Sequence, residues 1–223
     1  MQTKQDFFES LKCMLLLSFS GGFQDAYTYI ARGKVFANAQ TGNLVLMSTL
    51  LMQNRHVEAL TYLFPLLSFG SGVFLAAALE RGLKNPSFFV KEMIIFFEII
   101  TLFIVGWIPE QAFIIANMLV SFSCAMQVQG FRKLRGNSIA STMIIGNVRS
   151  GVSEAAGYFI TKDRLHLKKL GYYALIIFSF ALGAGIGGNL SVLWGIRSIW
   201  VSCVVLSLVL LMERFITSGK DMG

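Results

Sequence analysis

The chain has 223 residues, of which 55% are hydrophobic and only 14% are charged, and its mean hydropathy is +0.64. This is too little polar material to cover a soluble globule of this size, so the composition places the chain in a lipid bilayer. The net charge of +7 does not indicate nucleic acid as a partner. Basic loops follow from the positive-inside rule, and no basic run alternates with aromatic residues in a polar domain.

Apolar stretches in chain order predict the membrane segments. Six of them approach the length needed to cross a ~30 Å hydrocarbon core. Two shorter stretches, 41–53 and 145–160, have lengths more typical of re-entrant or half-helices. Because no soluble domain is left over, we expect a single all-α membrane domain over residues 1–223. The six predicted spans cover residues 13–31, 60–79, 93–108, 112–128, 170–190 and 199–212.

The distribution of Lys and Arg decides whether the two short segments cross. If neither crosses and the N-terminus is cytoplasmic, 14 of the 19 basic residues lie inside and four outside, with Arg149 in the membrane. If both cross, the count is nine on each side. Only the first arrangement follows the positive-inside rule. We therefore expect six transmembrane helices plus two short re-entrant or half-helices, with both termini cytoplasmic.

The same order of segments occurs twice. Residues 1–108 and 109–223 each contain a span, a short segment and two further spans. Three spans is an odd number, so the halves are expected to be inverted relative to each other, as in many transporters. Gly-Asn leads both short segments, at Gly42-Asn43 and Gly146-Asn147, but the dipeptide occurs four times and is weak evidence alone.

Glycines recur in the span that follows each short segment. Gly70 and Gly72 lie in the first such span, and Gly183 and Gly185 in the second. Gly187 completes a GxxxG with Gly183. Small residues at these spacings favour close packing of helices in lipid, which is the role expected here.

The most specific pattern lies between Gly21 and Asn43. Gly-Gly-Phe-Gln-Asp-Ala-Tyr begins at Gly21, and Thr41-Gly42-Asn43 follows after a short polar stretch. The glycine pair is expected to loosen the first helix beside the ionisable Asp25. This pattern resembles the YoaK family of bacterial membrane proteins of unknown function, and the resemblance extends over essentially the whole chain. It implies a multi-span protein of the bacterial cytoplasmic membrane and supplies no activity.

The second half lacks parts of this pattern. Gln129 takes the place that corresponds to Asp25, and Ile145 the place that corresponds to Thr41. A site shared between the halves is therefore expected to be chemically unequal.

Four charged residues are embedded in apolar surroundings: Asp25, Glu98, Arg149 and Glu154. Each costs about 2.5–3.5 kcal/mol at the centre of an isolated inserted helix, so each needs a partner or a role. Asp25 and Arg149 are the expected pair, because each lies close to a short segment. They are either a static ion pair or a proton or cation site, unless they do not meet. Glu98 is expected to be buried with a hydrogen bond, or to carry protons.

A half-helix that begins near Thr41 or Gly146 presents unsatisfied N–H groups and the positive end of its dipole. Asn38, Gln40 and Asn43 add neutral donors and acceptors. The alternative is ordinary N-capping, in which the side chain of Thr41 or Asn43 simply satisfies the first turn.

No metal, cofactor or enzyme is indicated. The three cysteines lie in or beside apolar runs without metal-ligand spacing, and His56 and His166 lie in predicted loops on opposite sides. Nucleophile-elbow, phosphate-loop and dinucleotide patterns are absent from the sequence.

The hypothesis that accounts for most of these features is a small transporter or channel for a small polar solute or ion. The alternative is a non-transporting membrane scaffold or accessory subunit. The partners are then the lipid bilayer, the solute, and a second copy of the chain if it forms a homo-oligomer. Gln127 and Gln129, at the cytoplasmic end of the fourth span, are expected either to line the same path or to snorkel. Predicted pathway residues are Gln24, Asp25, Asn38, Gln40, Thr41, Gly42, Asn43, Gln129, Gly146, Asn147 and Arg149.

Overall fold

The computed structural model describes residues 7–82 and 87–218, so Lys4, Lys84 and Lys220 of the charge count lie outside the described residues. Of the described residues, 84% are helical. A small antiparallel hairpin of β1 (Lys133–Leu134) and β2 (Asn137–Ser138) interrupts the helices. The helices are α1 (Leu11–Ala31), α2 (Gln40–Met52), α3 (His56–Gly82), α4 (Ser87–Val105), α5 (Phe113–Gly130), α6 (Ile144–Thr161), α7 (Arg164–Trp194) and α8 (Trp200–Ser218).

Each of these eight helices lies where the apolar pattern predicts one. Length and hydropathy identify three stretches in the described ranges that could each cross a membrane: His56–Gly82, Glu110–Gly130 and Arg164–Phe215. The last runs through α7 and α8. The chain is thus an all-α membrane protein. The short helices differ in length, since α2 has 13 residues and α6 has 18, which is about 27 Å of helix.

The short helices begin without a side-chain cap. Their N-cap residues are Ala39 and Met143, and neither makes a capping hydrogen bond. N-capping by Thr41 or Asn43 is therefore wrong. The expectation that His56 and His166 lie in loops is also wrong, because both lie in the first turns of helices, α3 and α7.

The main helix contacts form corresponding pairs when α1–α4 are matched in order with α5–α8. The two most extensive contacts, α1 with α7 and α3 with α5, correspond to each other under this matching. The pair α2–α3 corresponds in the same way to α6–α7, and α4–α5 to α8–α1. The contact between α4 and α8 corresponds to itself.

Glycines allow α1 and α7 to cross at backbone contact. A Cβ on Gly183 would collide with the carbonyl group of Phe19, and one on Gly22 with the carbonyl group of Phe180. The helix α1 is continuous through Gly21 and Gly22. The expectation that this pair loosens the helix is therefore wrong, because both glycines make room for neighbours.

The crossing of α3 and α5 uses the same device. A Cβ on Gly72 would collide with the carbonyl oxygen of Phe122, whereas Gly70 and Gly185 have open space around the Cβ position. Of each predicted pair, one glycine packs against a helix and the other does not.

The outer surface is apolar along the middle of the bundle. Large side chains such as Leu67, Phe74, Phe96, Phe178 and Val204 are exposed, as expected for a surface that faces lipid. At one end, Trp107 follows α4 and Trp194 ends α7; both are exposed, and indole rings favour membrane interfaces.

Arg32 holds the helix ends together at the end of the molecule that carries the tryptophans. Its guanidinium is fully buried and donates to the carbonyl oxygens of Val105 (2.8 Å) and Pro109 (3.1 Å), and Nε donates to the Tyr27 hydroxyl (2.8 Å). A cation at these carbonyls is favourable, because the end of α4 carries the negative pole of the helix dipole.

The opposite end carries ion pairs. Arg132 contacts Glu80 at 3.1 Å, and Lys91 lies 3.7 Å from Glu9. We call the end with Arg32 the outer end and the end with Arg132 the inner end.

Candidate functional site

The two short helices are entered through the same hydrogen-bonded loop. The amide of Asn43 bonds to both backbone groups of Phe36, with Nδ2 to the carbonyl at 2.7 Å and Oδ1 to the N–H at 3.0 Å. Asn147 bonds in the same way to Ala140, at 2.7 and 3.3 Å. Asn147 lies 104 residues after Asn43, and Ala140 lies 104 residues after Phe36. These asparagines fix the extended segments that lead into α2 and α6.

Asp25 lies at the entrance to α2. Its Oδ1 accepts from the backbone N–H of Asn38 at 2.7 Å, directly before the N-cap of the short helix, and the carboxyl group is only 7% exposed. A negative group is favourable here, because the first N–H groups of a helix carry the positive end of its dipole.

The entrance to α6 lies one helical turn away along α1. Thr142 is the residue 104 positions after Asn38, and its methyl group fills the space over Gly21. Gly21 and Asp25 are four residues apart on α1, about 6 Å along its axis. Both entrances therefore converge on one stretch of α1, in the interior of the bundle.

A set of buried side chains extends from this point toward α4. The amide Nδ2 of Asn38 donates to Cys124 Sγ at 3.4 Å, and the thiol donates to Gln24 Oε1 at 2.8 Å. Gln24 Nε2 donates in turn to Ser20 Oγ and to Glu98 Oε1, both at 2.9 Å. Three helices, α1, α4 and α5, contribute to these bonds.

Gln127 reaches Glu98 from the other side. When its amide group is oriented with Nε2 toward Glu98, the nitrogen lies 2.9 and 3.1 Å from the two carboxyl oxygens and Oε1 accepts from Ser141 Oγ at 3.0 Å. Ser141 stands directly before Thr142 at the entrance to α6. The bonds thus run from one entrance to the other. We call this set the polar chain: Asp25, Asn38, Cys124, Gln24, Glu98, Gln127 and Ser141.

The polar chain holds two carboxyl groups without a cation. Glu98 is fully buried, and in the described parts of the chain neither it nor Asp25 forms an ion pair with Lys, Arg or His. The expectation that Glu98 is buried with a hydrogen bond is confirmed. Burying a charge is expensive unless it is paired, so these groups hold a proton or lie where a cation can approach.

Two oxygen atoms beside the polar chain lack a protein partner. They are Oδ1 of Asn38 and Oγ1 of Thr142, at corresponding positions before the two short helices, and both residues are buried. Buried polar atoms normally find a partner. Asn38 is bonded to Asp25 through its backbone N–H, and Thr142 lies over Gly21, one helical turn along α1.

Arg149 lies away from Asp25. Its side chain is exposed, and no ion pair joins it to Asp25 within residues 7–82 and 87–218. It lines a groove of about 410 Å³ between α6 and α7 with Ser150, Ser153 and Tyr173. The predicted pairing is not found.

The remaining predicted pathway residues lie outside the polar chain. Gln40 bonds to Asn43 and to the Ala37 carbonyl and supports the loop, while Thr41 is exposed. Gln129, 104 positions after Asp25, donates to Glu80 at 3.0 Å at the inner end. Gly42 contacts the ring of Phe36, and Gly146 lies in open space.

Glu154 is paired outside the polar chain. Its carboxylate lies 2.6 Å from His166 Nδ1 and 3.7 Å from Lys169 Nζ, between α6 and the start of α7. Within the described residues, no cluster of His, Cys, Asp and Glu has the geometry of a metal site.

Sequence reasoning missed some members of the polar chain. The apolar run around Cys124 gives no sign that its thiol is a hydrogen-bond donor, and Ser141 carries no signal in its own neighbourhood. Glu98 was detectable as the one carboxyl group within a run of aromatic and branched residues.

The fold and the polar chain define a polytopic helical membrane protein with an ionisable interior. The chain belongs to the family described as protein of unknown function (DUF1275), whose model matches residues 13–212. It is similar to the UPF0700 transmembrane protein YoaK of Bacillus subtilis (strain 168), with 26% identity over 214 residues, 92% of this chain and 94% of that protein. No solved structure matches it significantly.

Proposed function

We propose that the protein is a small transporter or channel that moves a small polar solute or ion across the bacterial cytoplasmic membrane. The observation that carries the proposal is the polar chain, which links the entrances of two short helices through the interior of an apolar bundle. Packing alone does not require two buried carboxyl groups, and ionisable residues at membrane depth usually belong to an ion or substrate path.

The proposed architecture is an inverted repeat of three spans per half, with halves 1–108 and 109–223, α2 and α6 as re-entrant helices, and both termini cytoplasmic. It is supported by the 104-residue offset between the Asn43 and Asn147 loops and by the exchange of helix contacts between the halves. Transporters of this kind bind substrate near the midplane, where interrupted helices meet.

The solute site is proposed at the convergence of the two entrances. Asp25, Asn38 Oδ1 and Thr142 Oγ1 supply acceptor oxygens there, which suits a cation or a solute with N–H or O–H donors. The groove beside Arg149 is proposed as the inner mouth of the path, because it lies on α6 beyond its entrance.

Flux into proteoliposomes tests the proposal. The panel comprises Na⁺, K⁺, protons, urea and glycerol, each compared with protein-free vesicles. We expect one class to cross several-fold faster, to lose that advantage in Asp25→Asn, and to be slowed in Arg149→Gln. Glu80→Gln is the matched control, because its carboxylate pairs with Arg132 at the inner end and should leave flux intact.

Unchanged permeability to the whole panel would overturn the proposal and favour the scaffold. Equal flux in the parent and in Asp25→Asn would remove the path from the proposed site.

A further inference from the structure

We propose that Glu98 is a proton-binding site, and that the orientation of the Gln127 amide group follows its protonation. The inference rests on the proposed function for its role in coupling, but proton binding itself is measurable without any transported solute. The two sides of the Glu98 carboxyl group face the amides of Gln24 and Gln127, which differ in their freedom to turn.

The Gln24 amide has one orientation. Its Nε2 donates to Ser20 Oγ and to Glu98 Oε1, and its Oε1 accepts from the thiol of Cys124. Turning this amide would lose the bond from the Cys124 thiol and place the amide oxygen against Glu98 Oε1, while Ser20 could donate to that oxygen. In this structure Glu98 Oε1 therefore faces a donor.

The Gln127 amide fits its partners in one orientation when Glu98 is a carboxylate, and in the other only when Glu98 carries a proton. With Nε2 toward Glu98, it donates to Oε2 at 2.9 Å while Ser141 Oγ donates to its oxygen at 3.0 Å. With Nε2 turned away, it donates to Ser141 Oγ at 3.0 Å and to the Leu17 carbonyl at 3.4 Å. Its oxygen then lies 2.9 Å from Glu98 Oε2.

Each orientation suits one state of Glu98. Two oxygen atoms at 2.9 Å attract each other only if a hydrogen lies between them. The first orientation fits the carboxylate, which is an acceptor only, and the second fits the carboxylic acid, whose O–H donates to the amide oxygen. The proton comes from a hydronium ion, which leaves as water, and bonds to Oε2.

The surroundings contain no charge that fixes either state. The titratable groups around Glu98 are the thiols of Cys124 on α5 and Cys203 on α8, and Asp25 on α1 lies beyond Cys124. In the described residues, no basic side chain reaches the carboxyl group from α1, α5 or α8.

The change reaches the entrance to α6 through Ser141. In the carboxylate state its hydroxyl donates to Gln127, and in the acid state it accepts and is free to donate elsewhere. Ser141 lies between Ala140, which Asn147 holds, and Thr142, which carries an unpartnered hydroxyl. Proton binding at Glu98 is thus linked to the hydrogen bonding of the proposed solute site.

Infrared difference spectra of the protein in lipid, recorded between acid and alkaline pH, test this inference. We expect a titrating C=O stretching band of a protonated carboxyl group that is lost in Glu98→Gln and retained in Asp25→Asn. In Gln127→Leu the band should persist at a shifted frequency, because the O–H loses its acceptor. Gln129→Leu is the control amide on the same helix and should leave the band unmoved.

Selective ¹⁵N labelling of glutamine gives a second readout. The side-chain amide signal that disappears in Gln127→Leu should change position over the same pH range as the carboxyl band, and should become independent of pH in Glu98→Gln. The Gln24 signal, assigned through Gln24→Leu, should move less. These signals do not depend on solute flux.

A carboxyl band that survives Glu98→Gln, or that does not move in Gln127→Leu, would overturn the inference. If Glu98→Gln does not fold, the Gln127→Leu spectrum and the ¹⁵N signal of the parent still decide. A titrating band without flux of any solute would retain the proton site and reject transport. Flux of a solute without such a band would retain the proposed transport and reject the proton site.

Discussion

Arg32 carries a positive charge but is completely buried. It counts as a loop charge in the sequence, yet it is completely buried and bound to the ends of other helices. Its partners are carbonyl oxygens and a hydroxyl group, so its positive charge is stabilised by dipoles. We infer that it joins α1 to the outer ends of α4 and α5.

Arg32→Gln should lower the free energy of unfolding by about 2–3 kcal/mol, because buried carbonyls lose charge-assisted hydrogen bonds. Arg32→Lys should not restore stability, since one ammonium group cannot match the guanidinium fork. Unfolding in mixed micelles with increasing denaturing detergent measures both variants.

Arg55→Gln is the control for that experiment. Arg55 is exposed and bonds to Glu58, and this hydrogen bond raises the pKa of the guanidinium. Its removal should change stability little, because exposed ion pairs contribute weakly. Equal stability of Arg32→Gln and Arg55→Gln would contradict the clamping role.

At the scale of the element, the packing of α7 on α1 depends on which side of the helix a glycine occupies. Gly183→Ala should destabilise the protein by about 1–3 kcal/mol, because the new methyl group meets backbone atoms of α1. Gly185→Ala, two residues away with open space at the Cβ position, should be neutral or stabilising by up to about 1 kcal/mol.

The other half offers the same comparison. Gly72→Ala should destabilise and Gly70→Ala should not, because only Gly72 faces α5 closely. Thermal unfolding in detergent measures all four variants. A loss at Gly70 or Gly185 equal to that at their neighbours would show that glycine acts here through the backbone conformation and not through helix approach.

The loops before the short helices give a further pair. Asn43→Ala and Asn147→Ala should each cost about 1–3 kcal/mol of unfolding free energy, since each leaves partly buried backbone groups without a partner. Asn189→Ala is the control, because that exposed amide bonds only within its own helix. If Asn147→Ala were as stable as the Asn189→Ala control, the Asn147 loop would not stabilise the fold as the Asn43 loop is expected to do.

The positions of the helices could be predicted from the sequence because lipid requires long apolar runs, whatever their neighbours. The direction in which each side chain points could not be predicted from the sequence. Thr41 and Arg149 lie two residues from Asn43 and Asn147, which is about 200° around a helix, so they face away when the asparagines face inward. Without knowledge of which residue faces inward, Arg149 and Asp25 remained a plausible pair.

The polar chain was hidden for a related reason. Gln24 and Glu98 are 74 residues apart, and Gln24 and Cys124 are 100 apart. Only the packing of α1, α4 and α5 brings them together. Sequence indicated the cost of burying Glu98, but neither its partners nor the role of a thiol as a donor.

At the scale of the whole molecule, the two ends differ in chemistry. The outer end has exposed tryptophans and three exposed cations, Lys34, Arg55 and Arg197, whereas the inner end has more exposed cations, among them Arg132, Arg135, Lys162 and Lys168. Cations favour the cytoplasmic side, and this agrees with the proposed orientation. The short helix α2 must then return to the outer side before α3 begins, while α6 must return to the inner side before α7 begins.

Cysteine labelling decides this topology, because Arg55 follows α2, Lys162 follows α6, and both are exposed. In intact cells, Arg55→Cys should react with a membrane-impermeant maleimide, whereas Lys162→Cys should react only after the membrane is opened. The native Cys13, Cys124 and Cys203 are buried and provide an unreactive background. Labelling of both positions from one side would mean that α6 crosses the membrane, because only a fourth crossing between Arg55 and Lys162 puts them on the same side, and the inverted repeat would then be impossible. Reaction of Lys162→Cys alone in intact cells would mean that α2 crosses.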